Sequence, residues 1–483
     1  MTDLASYRRR LQSRLAELAA ELRVPGAACG VLERGETVVV TTGVANVATR
    51  APVTPDTLFQ IGSITKIYTT TLVMQAVAAG VVSLDDSVRS QLQEFTVADP
   101  AATIEITPRH LLAHTSGLEG DHLVDTGWNE DALAAYVSTL AGLGQIHPTA
   151  AAYSFCNTGY GVLGRLLEVA TGEHFDRVLR RRLTRPLGCR ATVTLPQHAL
   201  LHAVAVGHVQ EPGGEPVRQS RWSLTRSNGP MGGVIAPPGE LLAFARMHLE
   251  GGAGPDGTVL LAPEAVEEMQ RPQIDSPIPN EAQALGWTVR RWGELTCLGQ
   301  DADTFGQRAV LRVVPERDFA VCVLTNSPAG AVLAQAMLEL VAADRLEVAL
   351  NPTDPVAGGR RDLVAVAGGA RDRAAGAAAR PVADPGALAR WAGTYERLHH
   401  RVVVRPTDRG LDLATEPSGV LTALGVRDAV LSMRPVESFD DGRLVVAGRD
   451  PATGLREVAV LVPGDGGRGP GLYLAGRLHR RRG

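Results

Sequence analysis

Leu4, Leu11, Leu15, Leu18 and Leu22 recur at helical spacing with arginines between them, and the run stops at Pro25-Gly26. This predicts an amphipathic opening helix. The pattern then changes to short apolar runs. Ala27 to Leu32 and Glu36 to Thr42 predict two strands joined at Arg34-Gly35. Residues 63–80 read as a helix, and helical periodicity returns near 130–143, 159–171 and 239–249, with Pro- and Gly-rich turns between. Two β-rich runs, 307–314 and 319–325, flank Pro315-Glu316-Arg317-Asp318 and predict a hairpin. Residues 328–347 are helical again. Strands at both ends with helices between predict an α/β sheet completed late by C-terminal strands and a covering helix.

The pattern shifts again near residue 351. Residues 351–386 are rich in Ala, Gly, Arg and Asp, contain AGGARDRAAGAAARP, and read as a linker. Beyond it come short alternating runs at Val402–Val404, Leu411–Leu413, Leu444–Val446, Val458–Leu461 and Leu472–Ala475, with a turn signal at Asp440-Asp441-Gly442. They predict a small all-β domain. The expected organisation is therefore a large domain over 1–350, a linker over 351–386 and a β-domain over 387–483.

Composition narrows the function classes. The chain has 483 residues and a formal charge of −4. Basic residues form only short Arg runs, which argues against nucleic acid. No apolar stretch approaches the length of a membrane span, and the N-terminus lacks the apolar core and cleavage site of a secretory signal. Cys29, Cys156, Cys189, Cys297 and Cys322 are odd in number and include no CxxC pair. Free thiols in a cytoplasmic protein are expected, with neither disulfide framework nor zinc site. The histidines show no metal-ligand spacing, so no metal or cofactor is expected.

One count changes the picture. Lys66 is the only lysine, every other basic residue being arginine. Arginine stays charged in proteins, whereas lysine can shed its proton and act as a base. Lys66 stands three residues after Ser63 in TLFQIGSITKIYTT. On a helix those positions share a face. A helix N-terminus also offers free N–H groups where an oxyanion could form. The pair therefore reads as a nucleophile and its base.

These residues resemble the serine β-lactamase and penicillin-binding-protein superfamily, nearest to its class C and esterase-like serine hydrolases. The stretches carrying the resemblance are TLFQIGSITKIYTT, ITPRHLLAHTSGLEGD, YSFCNTGYGVLGRLLEVATG, LGQDADTFGQ and VVPERDFAVCVLTN. The resemblance implies an antiparallel sheet flanked by helices with an all-helical region. The small β-domain is similar to the lipocalin-like module of some members, which include peptidases and penicillin-binding-protein-type thioesterases that release or cyclise peptides.

It also implies roles. Ser63 matches the nucleophile, Lys66 the general base and Asn157 the Asn of Y-x-N. The tyrosine of that motif is Phe155 here, which cannot relay a proton. The third motif, normally K-T-G or H-x-G, is Gln300-Asp301-Ala302. Gln300 does not titrate, and Ala302 is expected to put a methyl where substrate backbone approaches. The backbone N–H groups of Ser63 and Asp303 would form the oxyanion hole. Tyr153, two residues before Phe155, is a candidate phenol or a packing ring. Asp121 is a candidate substrate contact or a solvated loop carboxylate. Asn228 lies in a Gly-rich loop expected to wall the cleft.

The expected function is an acyl-serine hydrolase or acyltransferase acting on an ester, thioester or amide. Its substrate would be a small-molecule or peptidyl acyl group. The alternatives are a thioesterase or peptide cyclase of natural-product biosynthesis, and a binding protein with impaired catalysis. Neither the oligomeric state nor the role of the β-domain follows from the sequence.

Overall fold

The computed structural model describes residues 4–482 apart from 210–213, 223, 279, 351–387, 408–409, 419–428, 439–442, 450–455, 465–469 and 475–476. The expected linker and the turn at 440–442 lie outside the described residues.

An eight-stranded antiparallel sheet forms the centre of the large domain. Its strands run in the order Glu36–Gly43, Gly26–Glu33, Phe319–Thr325, Gln307–Val314, Leu295–Thr304, Thr288–Trp292, Glu281–Gln283 and Ile274–Asp275. The N-terminal strand Gly26–Glu33 thus pairs with Phe319–Thr325, Cys29 facing Val323. That pairing closes the sheet late, as the split pattern of strands predicts. Strand Gly26–Glu33 is buried along almost its whole length, because helices cover both of its faces. On one side, Leu11, Leu15 and Leu18 of helix Leu4–Glu21 pack with Leu333 and Met337 of helix Gly330–Val341. On the other, Leu242 and Phe244 of helix Pro238–Leu249 join a core that continues into the helical region. The large domain is therefore an α/β fold, an antiparallel sheet flanked by helices, as expected.

The C-terminal residues form a closed eight-stranded antiparallel barrel running from Gly393–Arg397 to Arg477–Arg481. Its last strand returns to pair with its first, Glu396 facing Arg480. Val402, Val404, Leu411 and Leu413 point inward around Trp391 and Tyr395. Sequence patterning misses three of the eight strands, Gly393–Arg397, Ala429–Ser438 and Arg477–Arg481. In the last, RLHRR, arginines hide a strand whose Leu478 and His479 are buried.

The barrel docks on the large domain. Tyr153 is buried among Val445, Val460, Tyr473 and Leu478 of the barrel. The Leu478 N–H donates to Ser154 Oγ (3.2 Å), and Arg480 Nε donates to the Ile146 carbonyl (3.1 Å).

Candidate active site

Ser63 stands on a single tight turn, Gly62–Ile64, that runs straight into helix Thr65–Ala78. Gly62 has φ +46°, a left-handed conformation that favours glycine. A Cβ there would also meet the Ala302 Cβ at 3.0 Å. The turn and the strand Leu295–Thr304 are therefore in close contact. Pairing with strand Thr288–Trp292 ends at Gly299, so Gln300 to Thr304 pair on one side only, with Gln307–Val314.

Lys66 is fully buried one turn along the helix. Its Nζ donates to Asn157 Oδ1 (2.7 Å) and the Met231 carbonyl (2.7 Å), and lies 3.1 Å from Ser63 Oγ. Burial pulls its pKa down to about 7, helped by the positive charge of Arg477; Asp121 acts in the opposite direction. Much of the amine is therefore neutral near pH 7, and a neutral amine can take a proton from Ser63.

Asn157 opens helix Asn157–Thr171, whose N-cap is Cys156 with its Sγ accepting from the Gly159 N–H. The Asn157 amide is held at both ends. Its oxygen faces Lys66, and its Nδ2 donates to Asp121 Oδ1 (2.8 Å). Asp121 is buried, not a solvated loop carboxylate. Arg477 Nε and Arg397 Nη1 approach its Oδ2 at 2.7 and 2.6 Å. Burial alone would raise the Asp121 pKa, but Arg477 and Arg397 outweigh it and hold the carboxylate well below its usual range. Glu119 adds to the cluster, accepting from the Leu398 N–H (2.8 Å) and pairing with Arg397 (3.3 Å).

Phe155 lies beside this network. Lys66 Nζ is 4.7 Å and Arg477 Cζ 4.8 Å from its ring centroid. Tyr153 does not replace the missing phenol, since its ring is buried in the docking cluster and burial raises its pKa far above neutrality. His114 is structural: its Nδ1 accepts from the Cys156 N–H (2.9 Å), and burial holds the ring neutral.

The third-motif residues also differ from expectation in one respect. The Ala302 methyl is buried beside Gly62 (3% exposed) and does not project into open space. Gln300 is buried with its Nε2 lacking a hydrogen-bond partner. Asp301 points away from the turn and pairs with Arg312 (2.7 Å) and Arg290 (3.1 Å). Asp303 is exposed and pairs with Arg308. Asn228 is buried and donates to Thr225 Oγ1 (2.9 Å). The loop after it contributes main chain instead: the Pro230 carbonyl accepts from Thr69 and the Met231 carbonyl from Lys66.

That loop leans on helix Asn157–Thr171 at Gly164, where a Cβ would lie 2.1 Å from Pro230 Cγ. A Gly164→Ala change must displace a rigid ring, and with it the Met231 carbonyl. A stability loss of about 1–3 kcal/mol is expected, with slower reaction of Ser63 towards an active-site serine probe. Thermal melts and probe-labelling rates check both.

Sequence reasoning missed Arg477, Arg397, Glu119 and the Met231 carbonyl. Nothing singles out two arginines in so Arg-rich a chain, and a main-chain acceptor has no sequence signature.

Comparison with known proteins identifies the family. Residues 11–346 match the family described as Beta-lactamase. Penicillin-binding protein 4 of Amycolatopsis lactamdurans is 38% identical over 321 residues, spanning 65% of this chain and 84% of that protein. A D-aminopeptidase of Brucella anthropi is 28% identical over 183 residues, 36% of this chain and 34% of that protein. The crystal structure of SurE with D-Leu superposes with a TM-score of 0.72 at 26% identity, covering 99% of this chain and all of that one.

Proposed function

Because the chain belongs to the beta-lactamase family, we propose that it is an acyl-serine enzyme in which Ser63 takes an acyl group from an ester, thioester or amide and passes it to water, an amine or a hydroxyl. The observation that carries this reading is the buried Lys66 amine 3.1 Å from Ser63 Oγ. Neutral Lys66 accepts the Ser63 proton as Oγ bonds to the carbonyl carbon. The N–H groups of Ser63 and Asp303 bind the oxyanion, and Asn157 keeps the lysine in place. Collapse of the tetrahedral intermediate breaks the bond to the leaving group, which takes the proton back from Lys66. The second half repeats these steps in reverse with the acceptor.

Phe155 has no proton to offer, so Lys66 serves both halves alone. This favours activated donors whose leaving groups need little acid help. A second and finer reading, a peptidyl thioesterase or cyclase, is favoured by the C-terminal barrel, the module whose resemblance implies such members. The D-Leu with which SurE was solved and the name of the D-aminopeptidase support a D-configured residue in the substrate. The five buried free thiols support a reducing, cytoplasmic setting. No helix among the described residues is long and apolar enough to cross a membrane.

Intact-mass analysis after mixing with a fluorophosphonate or a p-nitrophenyl ester tests the proposal. One adduct is expected on the wild type and none on Ser63→Ala. No wild-type adduct, or an undiminished one on Ser63→Ala, sinks it in favour of a binding protein. The same assay gives a pH profile. Lys66 is active when deprotonated, so acylation should rise as pH climbs through about 7 and then level off.

A further inference from the structure

The barrel reaches the catalytic centre with one side chain. Arg477 opens the last barrel strand, 356 residues from Asp121 in sequence. Its guanidinium grips that carboxylate through two atoms, Nε to Oδ2 (2.7 Å) and Nη2 to Oδ1 (3.1 Å). Oδ1 is the same oxygen that receives the Asn157 amide. The Lys66 amine faces the same Phe155 ring as the Arg477 guanidinium. A continuous set of contacts thus runs from the barrel through Asp121 and Asn157 to Lys66, with Phe155 alongside it.

We propose that Arg477 is a positioning residue through which the C-terminal barrel sets up the general base. It fixes Asp121, and so the orientation of the Asn157 amide, and it stands as a permanent positive charge over the ring that Lys66 also faces. This deepens the acyl-serine reading and rests on it. The geometry explains how Phe155 is accommodated. An unsubstituted ring offers a face to both the Lys66 amine and the Arg477 guanidinium.

The charges around Lys66 make the direction of the effect definite. Its own turn contributes Ser63, which is neutral. Helix Asn157–Thr171 and the residues before it contribute Asn157, Cys156, Phe155 and Tyr160. The loop before that helix contributes Asp121, Glu119 and neutral His114. The 229–232 loop contributes the Met231 carbonyl, and the strand beyond Gly62 contributes Asp303, paired with Arg308. The barrel contributes Arg477 and Arg397. Removing Arg477 takes away a like charge and leaves Asp121 less neutralised. Both changes favour protonated Lys66.

The solitary lysine permits a direct test on the full chain. Biosynthetic labelling with lysine carrying 13C at Cε gives one resonance, from Lys66, whose shift follows its protonation. In Arg477→Gln its titration midpoint should move up by about one unit, and the acid limb of Ser63 acylation should move with it. Arg477→Lys keeps the charge but adds a second labelled lysine, so it is read through the acid limb of Ser63 acylation, whose midpoint should stay near that of the wild type. An unmoved midpoint in Arg477→Gln overturns the inference, as does an equal upward move of the acid limb in Arg477→Lys. If Arg477→Gln does not fold, the acid-limb midpoint of Arg477→Lys alone decides: near the wild-type value supports the inference, and a full unit higher overturns it. Absence of a Ser63 adduct on the wild type overturns the acyl-serine reading, whereas an acylating wild type with an unmoved midpoint overturns only the role of Arg477.

Discussion

Replacing Lys66 with methionine is expected to slow acylation of Ser63 by about 10⁴-fold, the upper end of what one general base provides. The large effect follows from the surroundings. Neither Phe155 nor Gln300, beside the site, carries a group that titrates. The nearest phenols, on Tyr153 and Tyr160, are pushed far upward by burial. His114 already uses Nδ1 to accept from the Cys156 N–H. Stopped-flow release of p-nitrophenol from an activated ester measures the loss.

The same substitution has a stability signature. In the folded chain Lys66 is held at about 7, below its ordinary 10.5. Between those values the unfolded chain binds more protons than the folded one. The lysine's contribution to stability therefore rises with pH across that window, and below it the cost of burying the ammonium is felt in full. Denaturation midpoints of the wild type should gain on those of Lys66→Met from pH 7 to pH 10. Parallel curves would contradict a depressed lysine.

The second large effect is expected at Asp121. In Asp121→Ala, Arg397 and Arg477 lose the carboxylate they share, and Arg397 is 5% exposed. Removing one partner of a buried ion pair typically costs about 3–5 kcal/mol, because the remaining charge stays buried without compensation. Glu119 still pairs with Arg397 and offsets part of the penalty. The loss should concentrate at the docking surface around Tyr153 and Leu478. Hydrogen exchange should therefore rise there and at the last barrel strand before it rises in the central sheet. Asn157 would also be free to turn its amide, and acylation should fall in the molecules that remain folded. Equal stability of wild type and Asp121→Ala, measured by urea unfolding, would remove Asp121 from the docking role.

Some of this was legible in the chain itself. The opening leucine stripe, the hairpin around Pro315 and the strands at 27–32 and 36–42 are local patterns, and local patterns survive folding because each buries its own apolar face. Ser63 and Lys66 were legible for the same reason: three residues apart on a helix is a distance the backbone fixes. Asn157 could be matched only through its motif. Asp121 was misread, because a loop carboxylate looks solvated until its cover is known. The Ala302 methyl, expected to face substrate, is buried against Gly62 because the turn and the strand pack together there.

What only the tertiary structure decided lies between the two parts of the chain. Arginine recurs throughout, so nothing in composition or spacing marks Arg397 or Arg477. The residues that confine Lys66 come from segments 91, 165 and, through Arg477, several hundred residues away. The sequence by itself determined which residue can be the nucleophile and which the base, since that needs only one helical turn. The structure decided how acidic that base is and what holds it, since those depend on burial and charge brought together across the whole chain.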